Sequence, residues 1–343
     1  NARVIYLTLN TTLLKQFANY LKKEGFSSGI ISGEVKEFNE QITNLSVMTA
    51  YRAIEGKASV EVDEEIADEL DEVELTDPEK AKVRDLLKEA KLIIVDEAHH
   101  TPAESVKSIL KFAPDNIRLG LSATPYREDM KEHIIYSLLG DPVVQYRLMD
   151  FVKKGILTPP EVKMINVSVK GVCRNYNECK SLAYNDDEAN EKIAEIIEKA
   201  EKPVLVLFKE VTQLENVADI LRRKNVKFAI LTGKDDLNKR DQVIQEFNAG
   251  KISILLASTI FDEGVDIPNI RSLVLASGGK SKIKLLQRIG RSLRKANGKD
   301  RVTIYDIVHN MKYFTQHALI RQQVYEEEGI CLLYTSPSPR DRQ

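Results

Sequence analysis

The stretch VDEAHH, Val95 to His100, sets two carboxylates and two imidazoles directly after the apolar run Leu92, Ile93, Ile94 and Val95. An aspartate at the end of a buried strand can hold Mg²⁺ through water, while the adjacent carboxylate points elsewhere and can orient or deprotonate an attacking water. Asp96 and Glu97 therefore have the types and spacing that hydrolysis of a nucleoside triphosphate requires, and His99 stands close enough to link them to a neighbouring element. Capping of a helix is the competing use for such residues.

Three further stretches share this design. LSATPYRED ends a strand in Ser122, Ala123 and Thr124, whose hydroxyls can exchange hydrogen bonds with the first motif. STIFDEGVDIP places Ser258 and Thr259 where hydroxyls and backbone N–H groups can hold a nucleic-acid phosphate without reading bases. Gly264 there permits a close turn, and Asp266 can meet a ribose. An ordinary strand exit is the alternative for each. QRIGRSLRK sets Arg288, Arg291 and Arg294 three apart, on roughly one face of an expected helix. Arginines that dense call for anions, either the γ-phosphate of a nucleotide or a nucleic-acid backbone.

These residues need a scaffold that gathers strand ends. Strands and helices alternate nearly throughout, which argues for an α/β fold of parallel sheets flanked by helices. Strands are expected at Val4–Leu9, Leu45–Ala50, Leu92–Val95 and Ile117–Leu121, then at Val204–Phe208, Phe228–Leu231, Ile252–Ala257, Ser272–Ala276 and Val302–Ile307. Helix starts are signalled by Asp77 with Pro78, and by capping boxes at Thr101/Glu104 and Thr212/Glu215. GILTPP, Gly155 to Pro160, breaks the pattern. Two lobes in tandem are expected, residues 1–150 and 151–330, with a cleft between them.

The chain has 343 residues, 43% hydrophobic and 30% charged, which is a soluble globular composition and excludes a fibre or a disordered chain. No apolar run approaches the roughly 20 residues that span a bilayer, so a cytoplasmic location is expected and a membrane partner is not. Cys173 and Cys179 lack zinc-ligand spacing and have no second pair. With a net charge of −2, any affinity for nucleic acid must come from patches. Lys280, Lys282, Lys284, Arg288, Arg291, Arg294, Lys295 and Lys299 form one such run without a carboxylate, whereas Glu61 to Glu79 is acidic and reads as a solvated insertion.

Taken in order, LTLNTTLLKQF, VMTAYRAI, VDEAHH, LSATPYRED, VLVLF, LTGK, STIFDEGVDIP and QRIGRSLR resemble motifs Ia, Ic, II, III, IV, IVa, V and VI of superfamily 2 helicases, over Val4 to about Arg294. Arg127, Glu128 and Asp129 resemble the Arg-Glu-Asp element of XPB-like helicases, and the remainder is similar to phage relatives such as UvsW. The resemblance implies two RecA-like lobes, ATP and Mg²⁺ as cofactors, and DNA, ahead of RNA, as a partner held by its phosphate backbone with little sequence specificity. By resemblance, Asp96 binds Mg²⁺, Glu97 is the catalytic base, and His99, Ser122 and Thr124 couple the site to DNA. Gln287, Arg288, Arg291 and Arg294, with Gly264 and Asp266, face the nucleotide. Thr49, Arg127, Thr232, Ser258 and Thr259 grip one strand.

The pattern departs at motif Ia, where Leu9 and Asn10 replace the common Pro-Thr, and in lacking any Gly-rich loop ending in Gly-Lys-Thr or Gly-Lys-Ser. Since that loop is expected upstream of motif Ia, truncation is expected, with little ATP hydrolysis by this fragment. Cys331 to Gln343 resembles a translated sequencing adapter and is set aside as non-native. The reading is thus an ATP-dependent DNA helicase or translocase. An RNA helicase, a restriction-enzyme motor subunit and a non-catalytic nucleic-acid clamp remain as alternatives.

Overall fold

The computed structural model of the chain describes residues 2–9, 11–33, 35–39, 41–55, 75–101, 103–123, 132–258 and 267–334. The chain divides into two compact units, residues 1–145 and 146–343. The first contains β1 (Val4–Thr8), α1 (Thr11–Lys23), β2 (Gly29–Ile31), β3 (Lys36–Glu37), β4 (Ile42–Ser46), α2 (Val47–Glu55), α3 (Asp77–Glu89), β5 (Leu92–Val95), α4 (Glu104–Phe112), β6 (Ile117–Gly120) and α5 (Glu132–Leu139). Its sheet runs β3-β2-β4-β1-β5-β6, parallel except for the antiparallel β2–β3 pair.

Ile5, Leu7, Ile93 and Val95 point from the central strands into one core, closed by Ala50 and Tyr51 of α2, Val83 and Leu87 of α3, and Ile109 and Leu110 of α4. The expected strand Leu45–Ala50 is corrected here: it ends at Ser46, and Thr49 lies on α2. Val47, Ala50, Tyr51 and Ile54 recur at three and four residues, so the apolar period from Val47 onward is helical and the core selects it. The capping box at Thr101/Glu104 does not form either. Thr101 instead closes the short 3₁₀ turn Ala98–His100 through its N–H to Ala98 O, 3.0 Å, and Ala103 is the N-cap of α4.

The second unit contains α6 (Leu148–Lys153), β7 (Pro160–Val167), α7 (Tyr176–Asn185), α8 (Asp187–Lys199), β8 (Val204–Leu207), α9 (Val211–Arg223), β9 (Ala229–Leu231), α10 (Leu237–Asn248), β10 (Ile254–Ala257), β11 (Ser272–Leu275), α11 (Lys282–Ser292), β12 (Val302–His309), α12 (Lys312–Glu327) and β13 (Cys331–Tyr334). All pairs in the sheet β13-β7-β12-β11-β8-β10-β9 are parallel. Alternation along the strands sends Val204, Val206, Ile254, Leu256 and Val274 into a core under α7, α8 and α9. Leu205, Leu207, Leu255, Leu273 and Leu275 enter a second core under α10, α11 and α12.

Two differences from the sequence reading concern this sheet. β7 begins inside the stretch read as a break, because a proline is tolerated at the first position of a strand. Cys331–Tyr334, set aside as adapter-like, pair with Glu161–Met164 of β7. Thr212 and Glu215 make no capping box: α9 starts one residue earlier, with Glu210 as its N-cap, and Glu210 accepts from Lys180 Nζ at 2.8 Å.

Candidate functional site

Because β1, β5 and β6 are parallel neighbours, their carboxyl ends deliver side chains to one edge of the first unit. Asp96 continues the ladder by donating its N–H to Leu7 O (2.9 Å), and Leu121 donates to Val95 O (2.9 Å). The backbone then turns sharply. Glu97 adopts a left-handed conformation, φ 47° and ψ 53°, which costs an L-residue with a long side chain about 1–2 kcal/mol. Its N–H donates to Asp96 Oδ1 at 3.0 Å. The twist brings the Glu97 carboxylate back to His99, whose Nδ1 lies 3.3 Å from Glu97 Oε2 and 3.2 Å from Ser122 Oγ. His99 is buried, and its ring packs on His100 at 4.1 Å between centroids.

One contributor was not foreseen. Tyr6 of β1 donates its hydroxyl to Asp96 Oδ2. Burial first, then the Asp96 hydrogen bond and charge, pushes the phenol well above its ordinary range, so it remains a donor at any physiological pH. The signal was available only through register: Tyr6 pairs with Ile94, two residues before Asp96. Phe17 of α1 stacks on the Tyr6 ring at 4.0 Å and holds it there.

Each Asp96 oxygen thus accepts one hydrogen bond and keeps capacity for water. No cluster of three or more His, Cys, Asp or Glu side chains able to cage a metal occurs among the described residues. A single carboxylate of this kind suits Mg²⁺, which retains most of its water and needs only one or two protein ligands. Asp96, Glu97, His99 and Ser122 are therefore together. Thr49 is buried on α2, with no described contact to them. Thr124 and Arg127 lie outside the described residues.

In the second unit Ser258 directly follows β10, and its N–H donates to Leu231 O (3.1 Å), which sets it beside Thr232 at the end of β9. Thr232 spends both its N–H (2.7 Å) and its hydroxyl (3.1 Å) on Asp235 Oδ2. Asp235 is held below its ordinary range, first by its hydrogen bond from Lys239. Thr232 forms a turn in this geometry. Thr259, Gly264 and Asp266 lie outside the described residues.

α11 opens with Ser281, whose hydroxyl accepts from Lys284 N, and buries Leu285, Leu286 and Ile289. Gln287, Arg288 and Arg291 are half-buried along it, and the two arginines line a shallow hollow with Leu205, Leu207 and Ile267. The expected common face of three arginines is corrected: α11 ends at Ser292, and Arg294 lies beyond it, exposed, in an antiparallel bridge with Leu157. The basic run is also thinner than its composition. Lys299 is buried, donating to the carbonyls of Pro268 (2.7 Å), Ser292 (2.6 Å) and Arg294 (2.8 Å), so it fastens the end of α11. Burial lowers it to about 8, which leaves it an ammonium at neutral pH. Lys282 is paired with Glu327.

The chain is similar to known proteins along most of its length. The model of the helicase conserved C-terminal domain matches residues 188–296, and that of the type III restriction enzyme res subunit matches residues 2–127. Helicase 22 of Sulfolobus islandicus filamentous virus is 31% identical over 96% of this chain and 59% of its own length. The DNA 3'-5' translocase XPB2 of Sulfurisphaera tokodaii is 26% identical over 60% of this chain and 56% of its own length. The chain thus spans less than two thirds of these relatives. The structure of S. cerevisiae Dbp5 bound to RNA and ADP BeF3 shares the fold at a TM-score of 0.58 and 14% identity, covering 98% of this chain and 78% of that one. Among the described residues no helix is long and apolar enough to cross a membrane.

Proposed function

The chain belongs to the superfamily 2 helicases, and from that premise we propose that it is the motor portion of an ATP-dependent DNA helicase or translocase moving along a phosphate backbone. The observation that carries this reading is the convergence of Asp96, Glu97, His99 and Ser122 at the carboxyl edge of a parallel sheet, with Glu97 held in a left-handed conformation. Asp96 would hold Mg²⁺ through water, and the ion would neutralise phosphate charge. Glu97 would orient and deprotonate the attacking water, and Tyr6 would keep Asp96 aimed by donating to it.

His99 and Ser122 would couple the state of this site to the strand-gripping residues through their shared hydrogen bond. Gln287, Arg288, Arg291 and Arg294 would bind the nucleotide, and Thr49, Arg127, Thr232, Ser258 and Thr259 would hold DNA. Since Thr232 spends its donors on Asp235, it would have to exchange that partner for a phosphate. The test is ATP hydrolysis by the full-length gene product, with and without DNA. Glu97→Gln is expected to lower kcat by about 100-fold or more, the reach of general-base catalysis, while retaining ATP binding. Hydrolysis at the unsubstituted rate would remove Glu97 from the base role.

The match to a restriction-enzyme family model supports a second reading, the motor subunit of a restriction enzyme. DNA cleavage that depends on ATP, by the same full-length product, separates the two.

A further inference from the structure

The second unit carries a cluster of rings that none of the helicase motifs accounts for. Tyr176 at the start of α7 meets Tyr313 edge-on at 5.9 Å and His317 at 5.8 Å, both from α12. Beneath them lies buried Phe314, 6.0 Å from Tyr176, while the three upper rings remain partly exposed. Cations surround the group. Lys209, exposed just past β8, has its Nζ 5.7 Å from the Tyr176 ring and 3.3 Å from its hydroxyl. Lys312 lies 5.9 Å from the Tyr313 ring.

Burial first, then Arg321, Lys209 and Lys280, holds His317 below its ordinary value, so its ring is neutral and available as an aromatic at neutral pH. Lys209, Lys280 and Lys312 are all exposed and make no ion pair with a carboxylate among the described residues, in contrast to Lys282 with Glu327 and Lys180 with Glu210. A cluster of lysines without counter-charges calls for an external anion. Exposed rings among them call for a flat partner. The disulfide Cys173–Cys179 brackets Tyr176, and Asn175 caps α7 by accepting from Glu178 N at 3.0 Å, so the ring is presented from a fixed backbone.

Partners that are at once anionic and flat are few, and single-stranded nucleic acid is the extended one: every base offers a π-face and every linkage a phosphate. We propose that Tyr176, Tyr313 and His317, with Lys209, Lys280 and Lys312, form a stacking platform for unpaired nucleobases, which makes the second unit prefer single-stranded to double-stranded nucleic acid. This rests on the nucleic-acid reading above and adds base contacts to the backbone contacts assigned there to Thr232 and Ser258. Bases in a duplex are stacked on each other and cannot use the platform.

The experiment is fluorescence anisotropy on the 343-residue chain with a labelled oligothymidylate of about 20 nucleotides, the matching duplex, and an abasic oligomer of equal length. The unsubstituted protein is expected to bind the oligothymidylate about tenfold more tightly than the abasic strand. Tyr176→Leu and Tyr313→Leu are each expected to remove most of that difference while leaving duplex affinity within about twofold. Lys209→Gln should weaken both ligands and reduce the salt slope by about one.

Run with oligouridylate alongside, the same variants identify the strand the platform takes as the one whose binding they weaken. Equal affinity for the abasic and base-bearing strands overturns the platform and leaves the backbone reading intact; this comparison needs no variant to fold. Absence of binding to every ligand at low salt overturns both.

Discussion

β5 and β10 are both four-residue apolar runs that lead into functional residues, yet they sit in sheets of different completeness. Ile254, Leu255, Leu256 and Ala257 are all buried, because helices cover both faces of the second sheet. In β5 only Ile93 and Val95 are buried, while Leu92 and Ile94 are partly exposed. Their register partners on β6, Ile117 and Leu119, are 71% and 43% exposed. The same apolar run thus serves a sheet closed on both faces in one unit and, at the β5–β6 end, on one face in the other. Stability should be concentrated accordingly, and polar groups that are costly to bury should be found only where the surroundings can satisfy them.

The most demanding such group is in the second unit. Arg321 of α12 is buried, and forks onto Asp306 through Nε (2.8 Å) and Nη2 (2.6 Å), while Nη1 donates to Gly279 O at 3.0 Å. Tyr325 donates to the same carboxylate at 2.7 Å. Burial drives the Tyr325 phenol far above its ordinary value. Gly278 is required here, since an added Cβ would stand 2.2 Å from the guanidinium carbon. Arg321→Met leaves Asp306 buried without its cation and is expected to destabilise the second unit by about 3–5 kcal/mol in urea unfolding. Adding Asp306→Leu should recover most of that loss. A cost below about 1 kcal/mol for the single substitution would mean that water reaches the pair, and the contrast between closed and open faces would weaken.

Acid should expose the same asymmetry. His309 closes β12 among Tyr184 and Phe314, and burial, followed by the Arg321 charge and opposed by Asp186, lowers its pKa to about 4. Unfolded histidine titrates near about 6.5, so between those values the unfolded chain binds a proton that the folded chain refuses. Stability is therefore present above about pH 6.5 and lost as the pH falls towards about 4, by on the order of 3 kcal/mol. His309→Leu is expected to flatten this limb of the stability curve. An unchanged acid limb would assign it to other groups.

Legibility followed the same division. The alternation of apolar runs with amphipathic segments was enough to read β8, β10 and β11, which are buried along their length, and β5, whose four residues are all apolar although only Ile93 and Val95 are buried. It failed at α2, where a β-like run of Leu45 to Ala50 continues into helical spacing, and at β7, an alternating strand that follows Pro159 and begins on Pro160. Thr101/Glu104 and Thr212/Glu215 have capping-box spacing without the boxes, since tertiary packing moves each helix start by a residue or more. Local order made Asp96, Glu97, His99 and Ser122 readable. Tyr6 was not, because it reaches Asp96 through parallel register, and the ring cluster was not, because its members come from α7, α12 and the strand exits.

A smaller effect is expected from the disulfide Cys173–Cys179, whose short loop limits the chain entropy it removes. Reduction, or Cys173→Ser, should cost about 2 kcal/mol of stability in the second unit. If reduction also weakens oligothymidylate binding while duplex binding holds, the disulfide positions Tyr176 as well as stapling the chain.

The smallest change in folding energy should accompany the largest change in behaviour, at β6. Ile117, Leu119 and Leu121 place exposed apolar side chains along the edge strand of the first sheet, whose outer N–H and C=O groups have no partner strand among the described elements. Such an edge is a template for pairing with another copy, and a single charge commonly suppresses it. Leu119→Lys is expected to change unfolding energy by no more than about 0.5 kcal/mol, because the position is already exposed. It is nevertheless expected to lower any concentration-dependent association that sedimentation velocity measures for the unsubstituted chain. Association that persists unchanged would show that it does not run through the β6 edge.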